Sequence, residues 1–140
     1  MRLQKATLCG LYAVLELASH PQAQISAGEI AAKYDVSLNH LAKVLRDLVR
    51  AGLIESVRGP GGGYHFAGNP RRVTLLDVIE LFEGPAPRRE DSRPDESAEE
   101  RALRRVLADI DAMETATLRS ASITSLVRIV EAERKKSGGG

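Results

Sequence analysis

Asn39, His40, Lys43, Arg46, Asp47 and Arg50 recur at helical spacing along one side of the stretch from Ser37 to Arg50. The chemistry open to them is hydrogen bonding to base edges and to a polyanion backbone. Asn39 can pair with adenine through its amide NH2 as donor and its amide oxygen as acceptor, and Lys43 can donate to guanine. His40 and Arg46 suit phosphates. On the other side Leu38, Leu41, Val44, Leu45, Leu48 and Val49 take the i, i+3, i+4, i+7 positions of an apolar face. A helix with an apolar back and a mostly basic front fits a DNA major groove, with the residues of its first turn, Ser37 to His40, turned toward the bases. The competing reading is a solvated helix surface. Arg58 is the next candidate. It precedes Gly59-Pro60-Gly61-Gly62-Gly63, so almost no side-chain bulk surrounds it, which suits an arginine entering a narrow minor groove.

The elements that must position these groups can be read from local signals. An amphipathic helix is predicted over residues 3–19, ended by His20-Pro21. Ser26 and Glu29 form a capping box that opens a short helix. Asp35-Val36 is the turn, and Ser37 caps the helix that carries the polar front. Two short helices joined by a tight turn make a helix-turn-helix, with Ile25, Ile30, Val36, Leu41 and Leu45 buried at the crossing. Gly52 stops the second helix. Leu53 to Val57 reads as a strand, and the glycine run can reverse the chain into a second strand. Asn69-Pro70-Arg71-Arg72 is a basic connector that either touches phosphate or is solvated. Thr74, with Asp77 at its third position, caps a helix ended by Gly84.

Residues 84–97 form a polar loop with three prolines, expected to be mobile. Ser97 caps a long helix, roughly residues 98–116, with Leu103, Val106, Leu107, Ile110 and Met113 on one stripe. Such a face needs cover from a symmetry mate, and packing against the first helix is expected as well. Ser122 caps a final helix to about Glu133, and Lys135 to Gly140 reads as a frayed tail.

The run S-V-R-G-P-G-G-G-Y, placed after a recognition-like helix, resembles the wing of the Rrf-type family of winged-helix regulators (the group of IscR, NsrR and CymR). The start M-R-L and the segment L-Y-A-V-L-E-L-A are also similar to that family's first helix. The resemblance covers residues 1–84 closely and the rest in layout only. It implies sequence readout at Asn39, His40, Ala42 and Lys43, with Arg58 as the wing arginine beside Gly59, Gly61 and Tyr64. Many members hold an iron–sulfur cluster on three cysteines in the loop that matches residues 84–100. This loop has none, and Leu8 and Tyr12, at the matching positions of the first helix, are unsuitable ligands. The cluster is therefore not carried over. Glu90, Asp91, Asp95, Glu96, Glu99 and Glu100 lack the spacing of a defined cation site.

Cys9 is the single cysteine. It reads either as a small buried hydrophobe or as a thiol switch whose pKa Lys5 could lower. Nothing in its count argues for an oxidising compartment. No apolar run reaches 18 residues, and the N-terminus is not read as a signal peptide, so a cytoplasmic protein with no membrane contact is expected. The charge is uneven. Residues 1–72 hold 9 Lys and Arg against 5 Asp and Glu, a net +4, while residues 73–140 hold 11 against 14, a net −3. That points a polyanion at the first half.

No acid/base pair, nucleophile triad or phosphate loop is present. Tyr64-His65 stands where a Walker loop needs Lys-Ser/Thr, so no enzyme is expected. The fold expected is mainly α with a small β-hairpin wing. Residues 1–83 form a winged helix-turn-helix domain, 84–97 the loop, and 98–140 a dimerisation helix and a C-terminal helix. The function expected is a homodimeric regulator, a repressor on a palindromic double-stranded DNA operator, with no cofactor. The alternative is a protein–protein adaptor working through the dimer or the loop.

Overall fold

The computed structural model describes residues 1–85 and 92–138. Its helices are α1 (Lys5–Ser19), α2 (Ala27–Tyr34), α3 (Leu38–Arg50), α4 (Leu75–Glu83), α5 (Ala98–Ser120) and α6 (Ile123–Gly138). Two strands, β1 (Ile54–Val57) and β2 (Gly63–Phe66), lie between α3 and α4. This is the mainly helical fold with a hairpin wing that the residues predict.

The predicted caps set the helix ends. Ser26 Oγ accepts from the Glu29 amide at 3.1 Å while the Glu29 carboxylate accepts from the Ser26 amide at 2.8 Å. Thr74 with Asp77, and Ser97 with Glu100, repeat the same reciprocal pair. Ser37 caps α3 by accepting from the His40 amide. The turn between α2 and α3 places Asp35 in the left-handed region, φ 51°, a conformation that Asp tolerates better than most residues.

α1 is the hub of the core. Ala13, Val14 and Leu17 are fully buried against Leu41, Leu45 and Leu48 of α3, Ile54 of β1 and Val78 of α4. Ile123, the first residue of α6, joins the same core. It is held there by its amide donating to the Val73 carbonyl at 2.9 Å, beside Leu75 donating to Ala121 at 2.8 Å. β1 and β2 pair antiparallel, Ile54 opposite Phe66 and Val57 opposite Gly63.

Several expectations change. Leu38 and Val49 do not belong to the buried face of α3: both are exposed, Leu38 to 54%. The core that α3 faces begins at Leu41, so Leu38 projects past its edge, and Val49 lies on the flank. Ile25 and Val36 are half-buried against the core rather than enclosed. α1 begins at Lys5 rather than residue 3: Gln4 is extended, and its amide donates to the Glu83 carboxylate at 3.3 Å. α5 runs to Ser120, beyond the predicted 116. Leu118 packs against the core there, and the Thr117 hydroxyl donates to the Met113 carbonyl at 2.9 Å. α6 runs to Gly138 instead of fraying at Lys135. Glu131 to Lys136 are strong helix formers, and Lys135 and Lys136 sit favourably at the negative end of the helix dipole. Within the chain α5 lies along α4, not α1. Residues 86–91 of the loop expected to be mobile, with Glu90 and Asp91, lie outside the described residues, as do 139–140.

Candidate nucleic-acid interface

The residues singled out on α3 stand where a nucleic acid could reach them. Ser37, Asn39, Ala42, Lys43, Arg46 and Arg50 are all exposed, while Leu41, Val44, Leu45 and Leu48 anchor the opposite face. Asn39 and Lys43 are one helical turn apart and share a face. His40 is the exception. Its ring is partly buried, and its Nε2 is enclosed with no hydrogen-bond partner among the described residues. In this conformation it is folded against the protein, not offered to a phosphate.

The wing is built by glycines used in two ways. Gly59 to Gly62 form a tight turn in which the Gly62 amide donates to the Gly59 carbonyl at 2.9 Å. Pro60 occupies the second position and Gly61, at φ 73°, the third, the residue pattern of a type II turn. Gly62 and Gly63 answer to space instead. A Cβ on Gly62 would stand 2.4 Å from the Val57 carbonyl oxygen, and one on Gly63 would stand 2.7 Å from the Ile25 carbonyl. Arg58 enters this turn exposed. Tyr64 is half-buried against the core, and its amide donates to the Ile25 carbonyl at 2.8 Å while Ile25 donates back at 3.0 Å. The structure thus uses Tyr64 to seat the wing on the strand-like segment ahead of α2. On the wing's exposed side His65 pairs with Glu55 at 3.1 Å.

A buried acid fixes α2 against α1. Glu16, 8% exposed, accepts from Lys33 Nζ at 2.8 Å and from the Tyr34 hydroxyl at 2.5 Å. His20 Nδ1 stands 3.6 Å from its other oxygen. Burial pushes the Glu16 carboxyl up, but the Lys33 and Tyr34 hydrogen bonds and the charges of Lys33 and His20 outweigh it and hold the carboxyl below its ordinary range. The Tyr34 hydroxyl moves upward, first by burial and then by Glu16, and its ring stacks on Tyr12 at 4.8 Å between centroids. Residue patterns did not reveal this network, although a glutamate inside the apolar run L-Y-A-V-L-E-L-A was its signal.

Cys9 is 3% exposed in the core. Burial pushes its thiol upward, and Lys5 only partly offsets that. Desolvation thus outweighs the lowering that Lys5 could exert, in line with the reading of Cys9 as a small buried hydrophobe. Among the described residues no group of three or more His, Cys, Asp or Glu could hold a metal ion. Glu96 is engaged by Arg104 through two hydrogen bonds, at 2.9 and 3.1 Å, and Glu100 by its capping box. With one cysteine in the chain, enclosed in the core, the residues present do not fit an iron–sulfur cluster.

Residues 3–129 match the family model Rrf2, described as iron-dependent transcriptional regulator. The chain is 64% identical over all its 140 residues to a protein of Rhodopseudomonas palustris that bears the name HTH-type transcriptional regulator BadM, and covers 90% of it. It is similar to the solved structure of a transcriptional regulator from Listeria innocua, with TM-score 0.78 and 30% identity over 91% of this chain and 87% of that one. It is also similar to CymR, the global cysteine regulator of B. subtilis, with TM-score 0.75 and 27% identity over 92% of this chain and 98% of that one.

Proposed function

The chain belongs to the Rrf2 family of DNA-binding transcriptional regulators, and from that premise we propose that it acts in the cytoplasm as a homodimer on a palindromic operator. The observation that carries this reading is the exposed front of α3, Asn39, Lys43, Arg46 and Arg50, on a helix whose other face is locked into the core. α3 enters the major groove. Ser37, Asn39 and Lys43 turn toward base edges, and Arg46 and Arg50 toward phosphates. Arg58 reaches the adjacent minor groove from a turn that Gly59 and Gly61 keep free of side chains. His40 supports the helix start through its amide and reaches DNA only if its ring turns outward.

The homodimer reading rests on α5, which buries none of its residues within the chain. Repression follows as simple occupancy, the dimer covering its operator and excluding polymerase. No cluster is assigned, and Cys9 serves as a core residue. The test is fluorescence-anisotropy binding to the DNA upstream of the protein's own gene over a salt series. Affinity should fall linearly with salt on logarithmic axes. Arg58→Ala should weaken binding by about 1–3 kcal/mol, chiefly where the flanks are A·T-rich. A response flat in salt would favour docking on another protein.

A further inference from the structure

We propose that Leu38 is a specificity-determining residue that reads the 5-methyl group of thymine in the operator, an inference that rests on the DNA-binding reading above. Leu38 is the first residue of α3, directly after the Ser37 cap. It stands 54% exposed and belongs neither to the core nor to the hydrophobic residues packed around it. α3 packs on α1, α2 and β1, whereas the exposed apolar stripe of α5 lies on a helix seated against α4. The same unpartnered surface therefore does not account for both.

What surrounds Leu38 says which ligand it fits. Ala42, one turn further along, is also exposed. Leu38 and Ala42 make an apolar i, i+4 pair beside the polar i, i+4 pair Asn39 and Lys43. The major-groove edge of an A·T pair offers the same two characters side by side. Adenine shows an acceptor and a donor, and thymine shows a methyl group. An asparagine aimed at adenine thus has a thymine methyl within the same groove floor. A leucine at the first position of the helix is apolar, long enough to reach it and already free of the core. Enclosing that methyl removes it and part of the leucine from water, a gain that a cytosine at the same place cannot supply.

The test uses the full chain and a duplex selected by it from a random pool. Each thymine of that duplex is replaced in turn by deoxyuridine, which removes the methyl group and keeps the pairing. At one thymine of each half-site the replacement should weaken wild-type binding about four-fold, the factor expected for one buried methyl-sized group. Leu38→Ala should bind the thymine duplex more weakly and lose the deoxyuridine penalty at that position alone, with its circular-dichroism melting curve unchanged. A penalty of equal size in Leu38→Ala, or none at any thymine in the wild type, would overturn the assignment while leaving DNA binding intact. Recovery of no duplex from the pool would sink the DNA-binding reading and this one with it.

Discussion

At Gly63 the wing runs against the backbone of Ile25 and Ser26, close enough that no side chain fits between them. Gly63→Ala should therefore lower stability by about 1–3 kcal/mol, the usual cost of overpacking, measured by urea unfolding. A change within about 0.5 kcal/mol, typical of surface substitutions, would mean that the wing is not seated there. Cys9 makes the opposite kind of residue-scale prediction. Its enclosed, protonated thiol should react with a maleimide on the order of a hundredfold more slowly in the native protein than in urea, because the core must open first. Rapid labelling of the native protein would restore the thiol-switch reading. Polar identity and spacing singled out Asn39, Lys43 and Arg58, all three of which stand exposed. They did not separate Leu38 from the core, because periodicity assigns a face but not where along the helix the core stops. At Cys9 they left two readings open, and only the packed structure decides between them, because burial outweighs a lysine one turn away.

Elements were legible wherever their signal is local. Three capping boxes, the Ser37 cap, the turn at Asp35 and the glycine turn of the wing each depend on residues within four positions of one another. How one element is fixed to another was less legible, since it joins residues far apart in the chain. Glu16 and Lys33 meet only once α2 has docked on α1, and the Ile25–Tyr64 bridge only once the wing has folded back. The Glu16 network gives a pH prediction. Its carboxyl is held below the ordinary range in the native state, so the unfolded chain binds its proton first as pH falls. The stabilisation is complete above the unfolded value of about 4.3 and is lost as pH drops through the lower native value. Glu16→Gln should be less stable at neutral pH by roughly 1–3 kcal/mol, and its stability should fall less steeply below about pH 4.3. Urea unfolding at a series of pH values checks this, and parallel curves for the two proteins would count against it.

At the scale of the whole molecule the unsolved surface is α5. Leu103, Val106, Ile110 and Met113 are each between 47% and 63% exposed, and they recur at spacings of three and four along a helix roughly 35 Å long. A stripe of that length left in water is costly, and a second copy of the same helix can cover it across a two-fold axis, apolar residue against apolar residue. In the proposed dimer the same symmetry would double the DNA contacts, because two α3 helices would address two half-sites. Ile110→Asp places a charge in the middle of the stripe without touching the chain's own core. It should leave the helical signal in circular dichroism intact and move the protein from dimer to monomer in sedimentation. It should also weaken operator binding on the order of a hundredfold, since each half-site then binds alone rather than at the high effective concentration set by its linked neighbour. The linkage between these readouts is what tests the idea. A monomeric variant that binds the operator as tightly as the wild type would separate assembly from recognition. A variant that stays dimeric would show that the two copies meet through some face other than α5.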